Sequence, residues 1–410
     1  MRRVHFIGIG GVGMNGLAQL AAQSGFSVTG SDRAYDPEAE LFGKLHSQNI
    51  RIVPQDGSGI DRDTDTVVYS TAIEQDNPDL VKAESLAIPL LHRAEFLKEL
   101  IGNDELIAVA GTAGKTTTAG LLGWILECLG KDPSVYNGAA VLNWKTAAHS
   151  GNIRTGRSGL WVIEADESDK SLLNFHPTHS IITNISRDHF ELDELHALFN
   201  RFEDQTTGIT IRGPVDCAAT DLPMIGKHNL ENARCAMALC AALGLDMNQV
   251  RDAVRRFKGI ERRLEIAGET EGIVFIDDYA HNPVKIAAAL DAVREKYGTV
   301  HAYWRPHGFS PLFQWHEELI HVFRKARPAS LFILPVYYAG GTAQKKITAA
   351  EFAGMLESAG VRAELVPDYE TLKNRLQECA RSGHAILGMG ARDPELPLFA
   401  KRMVAEWKTR

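Results

Sequence analysis

Along most of the chain, short runs of apolar, β-branched residues alternate with stretches in which apolar positions recur every three or four residues. The first pattern predicts buried strands and the second amphipathic helices. Their alternation predicts an α/β protein built of parallel sheets covered by helices. Strands are expected at 4–9, 27–29 and 66–70, with a helix over 14–24 and a charged helix over 93–100 closing this block. The polar stretch Gly102-Asn103-Asp104-Glu105 then separates off a second block. It holds a strand at 106–110, a helix over 116–129 stopped by Gly130, and strands at 160–164 and 180–184. Helices over 229–243 and 247–257 lead into a third block, with strands at 273–276, 300–304, 330–334 and 384–387. The expected domains are 1–102, 103–259 and 260–410.

Composition agrees and removes several function classes. A chain of 410 residues, 44% hydrophobic and 23% charged, is too long for one compact core and too apolar to be disordered. With 52 acidic against 44 basic residues the formal charge is -8, which argues against a general affinity for nucleic acid or an anionic membrane surface. Any phosphate binding must be local. No apolar run reaches the ~20 residues of a membrane span. The start, Met1-Arg2-Arg3-Val4-His5-Phe6-Ile7-Gly8, is broken by glycine and lacks a small-residue cleavage site, so it is expected to be a strand rather than a signal peptide. Cys128, Cys217, Cys235, Cys240 and Cys379 are odd in number, sit in apolar contexts and lack paired-ligand spacing. They fit reduced, buried thiols of a cytoplasmic protein.

Three strand ends carry chemistry. The first expected strand runs into Gly8-Ile9-Gly10-Gly11-Val12-Gly13, a G-x-G-x-x-G pattern opening a helix, with Asp32 at the end of the second strand. Such a turn lets backbone N–H groups and a helix N-terminus approach a diphosphate. By itself it would suit NAD with Asp32 on a ribose, or simply a tight turn. The strand at 106–110 leads into Gly111-Thr112-Ala113-Gly114-Lys115-Thr116-Thr117-Thr118 and a long helix. Lys115 can neutralise β/γ-phosphates, the amides of 114–116 can cradle them and the Thr116 hydroxyl can hold Mg²⁺. The spacing departs from G-x-x-x-x-G-K-[ST], since position 109 is valine. After the next strand come Glu164-Ala165-Asp166-Glu167-Ser168-Asp169, whose crowded carboxylates suit a hard cation, with Glu164 the best candidate. Thr183-Asn184-Ile185-Ser186-Arg187-Asp188-His189 adds a further polar cluster, and His189 suits either a metal or phosphate role or a surface position. Further on, Asn229 can cap the helix that follows. Arg262-Arg263 and Asp277-Asp278-Tyr279-Ala280-His281-Asn282-Pro283 place more charge and polarity on loops. These clusters are expected to line one cleft.

Taken in order, these motifs resemble those of the Mur ligases over essentially the whole chain. The resemblance implies three domains: a Rossmann-like N-terminal domain for a UDP-sugar, a central domain of phosphate-loop ATPase type with a parallel sheet, and a Rossmann-like C-terminal domain. It implies an ATP- and Mg²⁺-dependent amide ligase of peptidoglycan precursor synthesis. In it the carboxylate of a UDP-N-acetylmuramate-type nucleotide sugar is activated as an acyl phosphate and joined to an amino acid, L-alanine foremost. Lys115, Glu164, His189 and His281 are then catalytic, with Thr116, Glu164 and His189 serving the metal. Gly111, Thr112, Gly114, Lys115, Thr116, Thr117, Asn229, Asn232, Arg263 and Asp278 serve ATP. Gly8, Gly10, Gly11, Val12, Gly13, Asp32, Ser70, Thr71, Ala72 and His307 serve the other substrates.

Four features depart from the family pattern. Ala113 replaces a usual histidine, and the interval from His189 to His228 is short, as though later strands of the central sheet were missing. Gly308 and Pro311 stand where arginines are expected, and Arg392 stands where glycine is usual. Arg305 or Arg392 can replace the lost cations. A paralogue using another amino acid or a peptide, a non-catalytic nucleotide-sugar-binding homologue and an NAD-dependent oxidoreductase remain open as alternatives.

Overall fold

The computed structural model describes residues 1–186, 191–217, 222–338 and 345–407. The chain forms two compact units, one of Met1–Pro223 with Asn229–Ile260 and one of Met224–His228 with Glu261–Arg410. The first unit contains two sheets. In one, five parallel strands run in the order Arg51–Val53, Ser27–Ser31, Arg3–Ile7, Thr66–Tyr69, Leu90–His92. The central strand RVHFI is buried at every position after Arg3, which is why it shows no polar alternation. Helix Val12–Gln23 and helix Arg93–Ile101 cover it, Phe6 meeting Phe96 edge-on with ring centres 5.5 Å apart. Because all five strands point the same way, residues 8–13, 32, 70–73 and 93 emerge at one edge.

The second sheet has six strands ordered Thr210–Arg212, His179–Ile182, Glu105–Ala110, Leu160–Glu164, Ser134–Tyr136, Ile153–Arg154, with only the last pair antiparallel. Its parallel register brings Gly111, Glu164 and Thr183 to a common edge. The expected contraction takes a specific form: beyond Ile182 the sheet gains one strand, Thr210–Arg212, among the described residues.

The second unit holds six strands ordered Glu265–Thr270, Ile273–Asp278, Ala385–Met389, Val300–Trp304, Ser330–Ile333, Ala363–Leu365. The first pair is antiparallel, with a register shift between Ile266 and Gly268, and the rest are parallel. Strand Glu265–Thr270 was not among the expected elements, since EIAGET is short of apolar residues and interrupted by glycine. No helix among the described residues is long and apolar enough to cross a membrane.

Candidate active site

Strand Glu105–Ala110 ends in a turn whose geometry admits only glycine at two places. Gly111 has φ +129° and Gly114, which precedes helix Lys115–Cys128, has φ +83°. A methyl group on Gly111 would overlap the Thr183 hydroxyl, and one on Gly114 would overlap the Asn232 side-chain carbonyl. Backbone amides here can therefore approach a ligand closely, and the first N–H groups of the helix have no acceptor within it. The turn is pinned to the neighbouring strand end: Thr112 Oγ1 donates to Asn184 Oδ1 at 2.7 Å and Ala113 N–H donates to the same atom at 3.1 Å. Thr183 Oγ1 and Asn184 Nδ2 both donate to the Ala113 carbonyl, at 2.6 and 2.8 Å. Thr112, Thr116 and Thr117 are all buried.

Lys115 Nζ donates to the Gly111 carbonyl at 2.9 Å and to Glu167 Oε2 at 2.6 Å. Burial alone would pull its pKa down, but Glu167, Glu164 and Asp166 outweigh that and hold the ammonium above the usual lysine range. Glu164 Oε2 accepts from Gly138 N–H at 2.9 Å, so one of its oxygens carries a fixed bond. The other two acids are committed elsewhere. Arg93 Nη2 reaches Asp166 Oδ2 at 3.2 Å and Asp169 Oδ2 at 3.0 Å. Burial pulls the Asp166 carboxyl up, yet Lys115, the Ser168 amide and Arg93 together hold it below the usual range. The carboxylate crowding is thus relieved largely by two cations of the chain itself, and no group of three metal-ligating side chains gathers among the described residues. Thr116 and Glu164 stay as hard oxygen donors; His189 lies outside the described residues.

At the first glycine turn, Gly8 has φ +72°, and its N–H and that of Ile9 donate to the Ser31 carbonyl at 2.8 and 2.9 Å. Asp32 faces this turn, accepting from Gly10 N–H at 2.7 Å and from Ala34 N–H at 2.8 Å. Its carboxylate shapes the loop, at a position where the sequence pattern by itself suits a ribose partner or a tight turn. Gly11 and Val12 are exposed, and Gly13 is overlaid by the Tyr136 hydroxyl, which donates to the Gly13 carbonyl at 3.0 Å. Ser70 closes a turn with Ile73 N–H at 3.0 Å, while Thr71 and Ala72 are exposed beside it.

Asn229 and Asn232 lie on helix Lys227–Ala242 and both are buried. Asn229 is inside the helix, two residues past its start, so the capping role expected for it does not hold. Asn232 is at the Lys115 turn, its side chain against Gly114.

In the second unit the two adjacent arginines divide. Arg262 is structural: it donates to Asp277 Oδ2 at 2.9 Å and to the carbonyls of Ala391 and Gly390 at 2.6 Å each. Arg263 stacks over the Tyr279 ring with its guanidinium 5.3 Å from the centroid. Asp278 accepts from Leu264 N–H and Ala280 N–H, each at 2.7 Å, which fixes both oxygens on the backbone. His281 and His307 meet edge-on at 5.0 Å. Burial pushes His281 down to about 4, reinforced by Lys285, and pushes His307 down to about 4, reinforced by Arg392. His281 Nδ1 donates to the Tyr279 carbonyl at 2.9 Å, which leaves Nε2 as the unprotonated nitrogen. Arg305 is held by Asp393 at 2.6 Å and by the Pro335 carbonyl at 3.2 Å, so of the two candidate replacement cations it is the committed one, while Arg392 is exposed.

The sequence does not single out Arg93 or Tyr136, and it marks Asn184 and Glu167 as members of polar clusters without their specific roles. Each acts through a partner far along the chain, and no short-range spacing marks that contact.

The chain is similar to known proteins in sequence and fold. The Mur ligase family catalytic domain matches residues 3–104, the Mur ligase middle domain 109–203 and the Mur ligase glutamate ligase domain 262–392. A UDP-N-acetylmuramate–L-alanine ligase of Thermosynechococcus vestitus is 32% identical over 454 aligned positions, covering 95% of this chain and 93% of that protein. That alignment is longer than the 410 residues of the chain, so the relative carries segments that this chain lacks. The enzyme of the same name from Maricaulis maris is 32% identical, covering 97% and 96%. The crystal structure of the UDP-N-acetylmuramate-alanine ligase of Thermotoga maritima superposes with a TM-score of 0.82 at 25% identity, covering 99% of each chain. A murein peptide ligase from Psychrobacter arcticus shares the fold, with a TM-score of 0.68 at 22% identity. With all three family domains matched in order and relatives at this identity over nearly its full length, the chain belongs to the Mur ligase family.

Proposed function

We propose that the chain is a cytoplasmic, ATP-dependent ligase that joins L-alanine to the carboxylate of UDP-N-acetylmuramate in peptidoglycan precursor synthesis. The observation that carries this reading is the strand–turn–helix around Lys115, where two glycines open the backbone and a buried ammonium stays charged. Residues 1–102 are assigned to the sugar nucleotide, 103–259 to ATP and 260–410 to a C-terminal ligase domain.

In this reading a substrate carboxylate oxygen attacks the γ-phosphorus of ATP and ADP leaves, giving an acyl phosphate. The amine of the amino acid attacks the acyl carbon, and the tetrahedral intermediate expels phosphate and leaves an amide. Lys115 holds a positive charge where negative charge builds on the phosphoryl oxygens, and the 114–116 amides orient them. The residues suit Mg²⁺: Thr116 and Glu164 offer hard oxygens, with His189 a further candidate, and the ion would neutralise phosphate charge. His281 and His307, neutral at pH 7, offer lone pairs and N–H groups in place of cations. The glycines at 8–13 accept the diphosphate of the sugar nucleotide at a helix N-terminus.

A second reading, a paralogue that uses another amine, draws on Gly308, Pro311 and the commitment of Arg305 to Asp393. Phosphate release with ATP, UDP-N-acetylmuramate and a panel of amino acids and short peptides separates the two. Turnover with L-alanine above the other acceptors supports the main reading, and turnover with another amine alone replaces it.

A further inference from the structure

Outside the Lys115 turn, Arg93 is a charged side chain that ties together the two sheets of the first unit. It opens helix Arg93–Ile101 at the edge of the first sheet and reaches into the acidic loop of the second. Each carboxylate it touches is also fixed on its other oxygen. Asp166 Oδ1 accepts from Ser168 N–H at 3.1 Å and Oγ at 2.9 Å, and Asp169 Oδ1 accepts from Ser171 N–H at 3.0 Å. The loop between them carries Glu167, the partner of Lys115. On its other side Arg93 faces Tyr136, whose hydroxyl holds the Gly13 carbonyl, and a methyl group on Gly13 would lie 3.4 Å from Arg93 Nη1 and 2.9 Å from the Tyr136 hydroxyl. His92 Nε2, buried and without a hydrogen-bond partner among the described residues, adds a third group 3.9 Å from Asp169.

We infer that Arg93 is a positioning residue that ties the glycine turn at 8–13 to the acidic loop at 164–169, so that the nucleotides bound at the two turns tighten each other's binding. This rests on the function proposed above. A single guanidinium nitrogen, Nη2, serves both carboxylates, which leaves Nη1 on the side of Gly13 and Tyr136. A ligand that fixes the start of helix Val12–Gln23 also fixes Tyr136 and Arg93, and with them the loop that sets Glu167 against Lys115. The second ligand then meets a loop already ordered, and by linkage the effect is equal in both directions.

The test is calorimetric binding of a non-hydrolysable ATP analogue with Mg²⁺ to the full chain, with and without saturating UDP-N-acetylmuramate. The wild type is expected to bind the analogue at least about fivefold tighter with the sugar nucleotide present, at the low end of ordinary coupling. In Arg93→Gln that ratio is expected to fall to about one, and in Asp169→Asn, which removes the charge of one of the two carboxylates that Arg93 holds, to an intermediate value. A merely structural role would lower melting temperature or weaken both ligands alike while keeping the ratio. A wild-type ratio of one, or a wild-type ratio retained in both variants, would overturn the inference. If Arg93→Gln does not fold, Asp169→Asn decides by the same ratio. Failure of the wild type to bind either nucleotide would instead remove the ligase reading, and the inference with it.

Discussion

Lys115 and Glu167 lie 2.6 Å apart with both side chains nearly buried, so the lysine at the phosphate turn is already neutralised by a carboxylate of its own chain. A nucleotide must share or displace that bond. Glu167→Gln is therefore expected to lower KM for ATP by up to about tenfold, the worth of one modest charge-assisted bond. Initial rates against ATP concentration check this. A rise in KM would mean that Glu167 itself serves the nucleotide or its cation.

The glycines of the turn make a stability prediction with a built-in control. Gly111→Ala adds a methyl group that overlaps Thr183, and Gly114→Ala one that overlaps Asn232, both at positive φ. Gly244 also has positive φ, at +70°, but nothing lies within 4 Å of its missing Cβ. Gly244→Ala should cost about 1–2 kcal/mol from backbone strain alone, and each turn variant should exceed it by denaturant unfolding. Only the turn variants should also lose ATP binding.

Arg262 and Arg263 are neighbours in sequence but are expected to fail differently. Removing Arg262 leaves Asp277 buried without its ion pair and two carbonyls without donors, a loss of about 3–5 kcal/mol in stability. Arg263→Ala, which removes a guanidinium that lies over Tyr279 and favours the Asp278 carboxylate without an ion pair to it among the described residues, should stay within about 1 kcal/mol of wild type and act instead on KM for ATP. Thermal melts and steady-state kinetics of the two variants separate these outcomes.

His281 and His307 are both pushed down to about 4, chiefly by burial. Nitrogen-resolved NMR titration should find both imidazoles neutral at pH 6 and protonating near pH 4; midpoints near 6.5 would contradict the packing. Because the unfolded chain takes up these protons first, stability should fall as pH drops from about 6.5 toward 4 and level off below. His281→Gln or His307→Gln should flatten that slope.

These comparisons show what could be read from the chain beforehand. Strand–turn–helix units such as 105–128 were legible because apolar runs, glycines and a lysine lie together in sequence, and their boundaries fell within a residue or two of the structure. The acidic cluster was legible as a cluster but its division was not. Which carboxylate meets Lys115, which meets Arg93 and which stays with a backbone amide depends on contacts 26 to 76 residues apart. Asn229 suited a helix cap by residue type, yet the helix begins at Lys227, two residues before it. Edge strands such as Glu265–Thr270 escaped because their pairing, more than their composition, makes them strands.

In the proposed reaction the turn bearing Lys115 activates a carboxylate through phosphoryl transfer. The most direct measurement follows oxygen: UDP-N-acetylmuramate labelled with ¹⁸O in its carboxylate is turned over with ATP and L-alanine, and the released phosphate is analysed by mass spectrometry. One labelled oxygen per phosphate, with no phosphate formed by Lys115→Ala, is the predicted result. Amide formed while the phosphate stays unlabelled, or full turnover by Lys115→Ala, would contradict it.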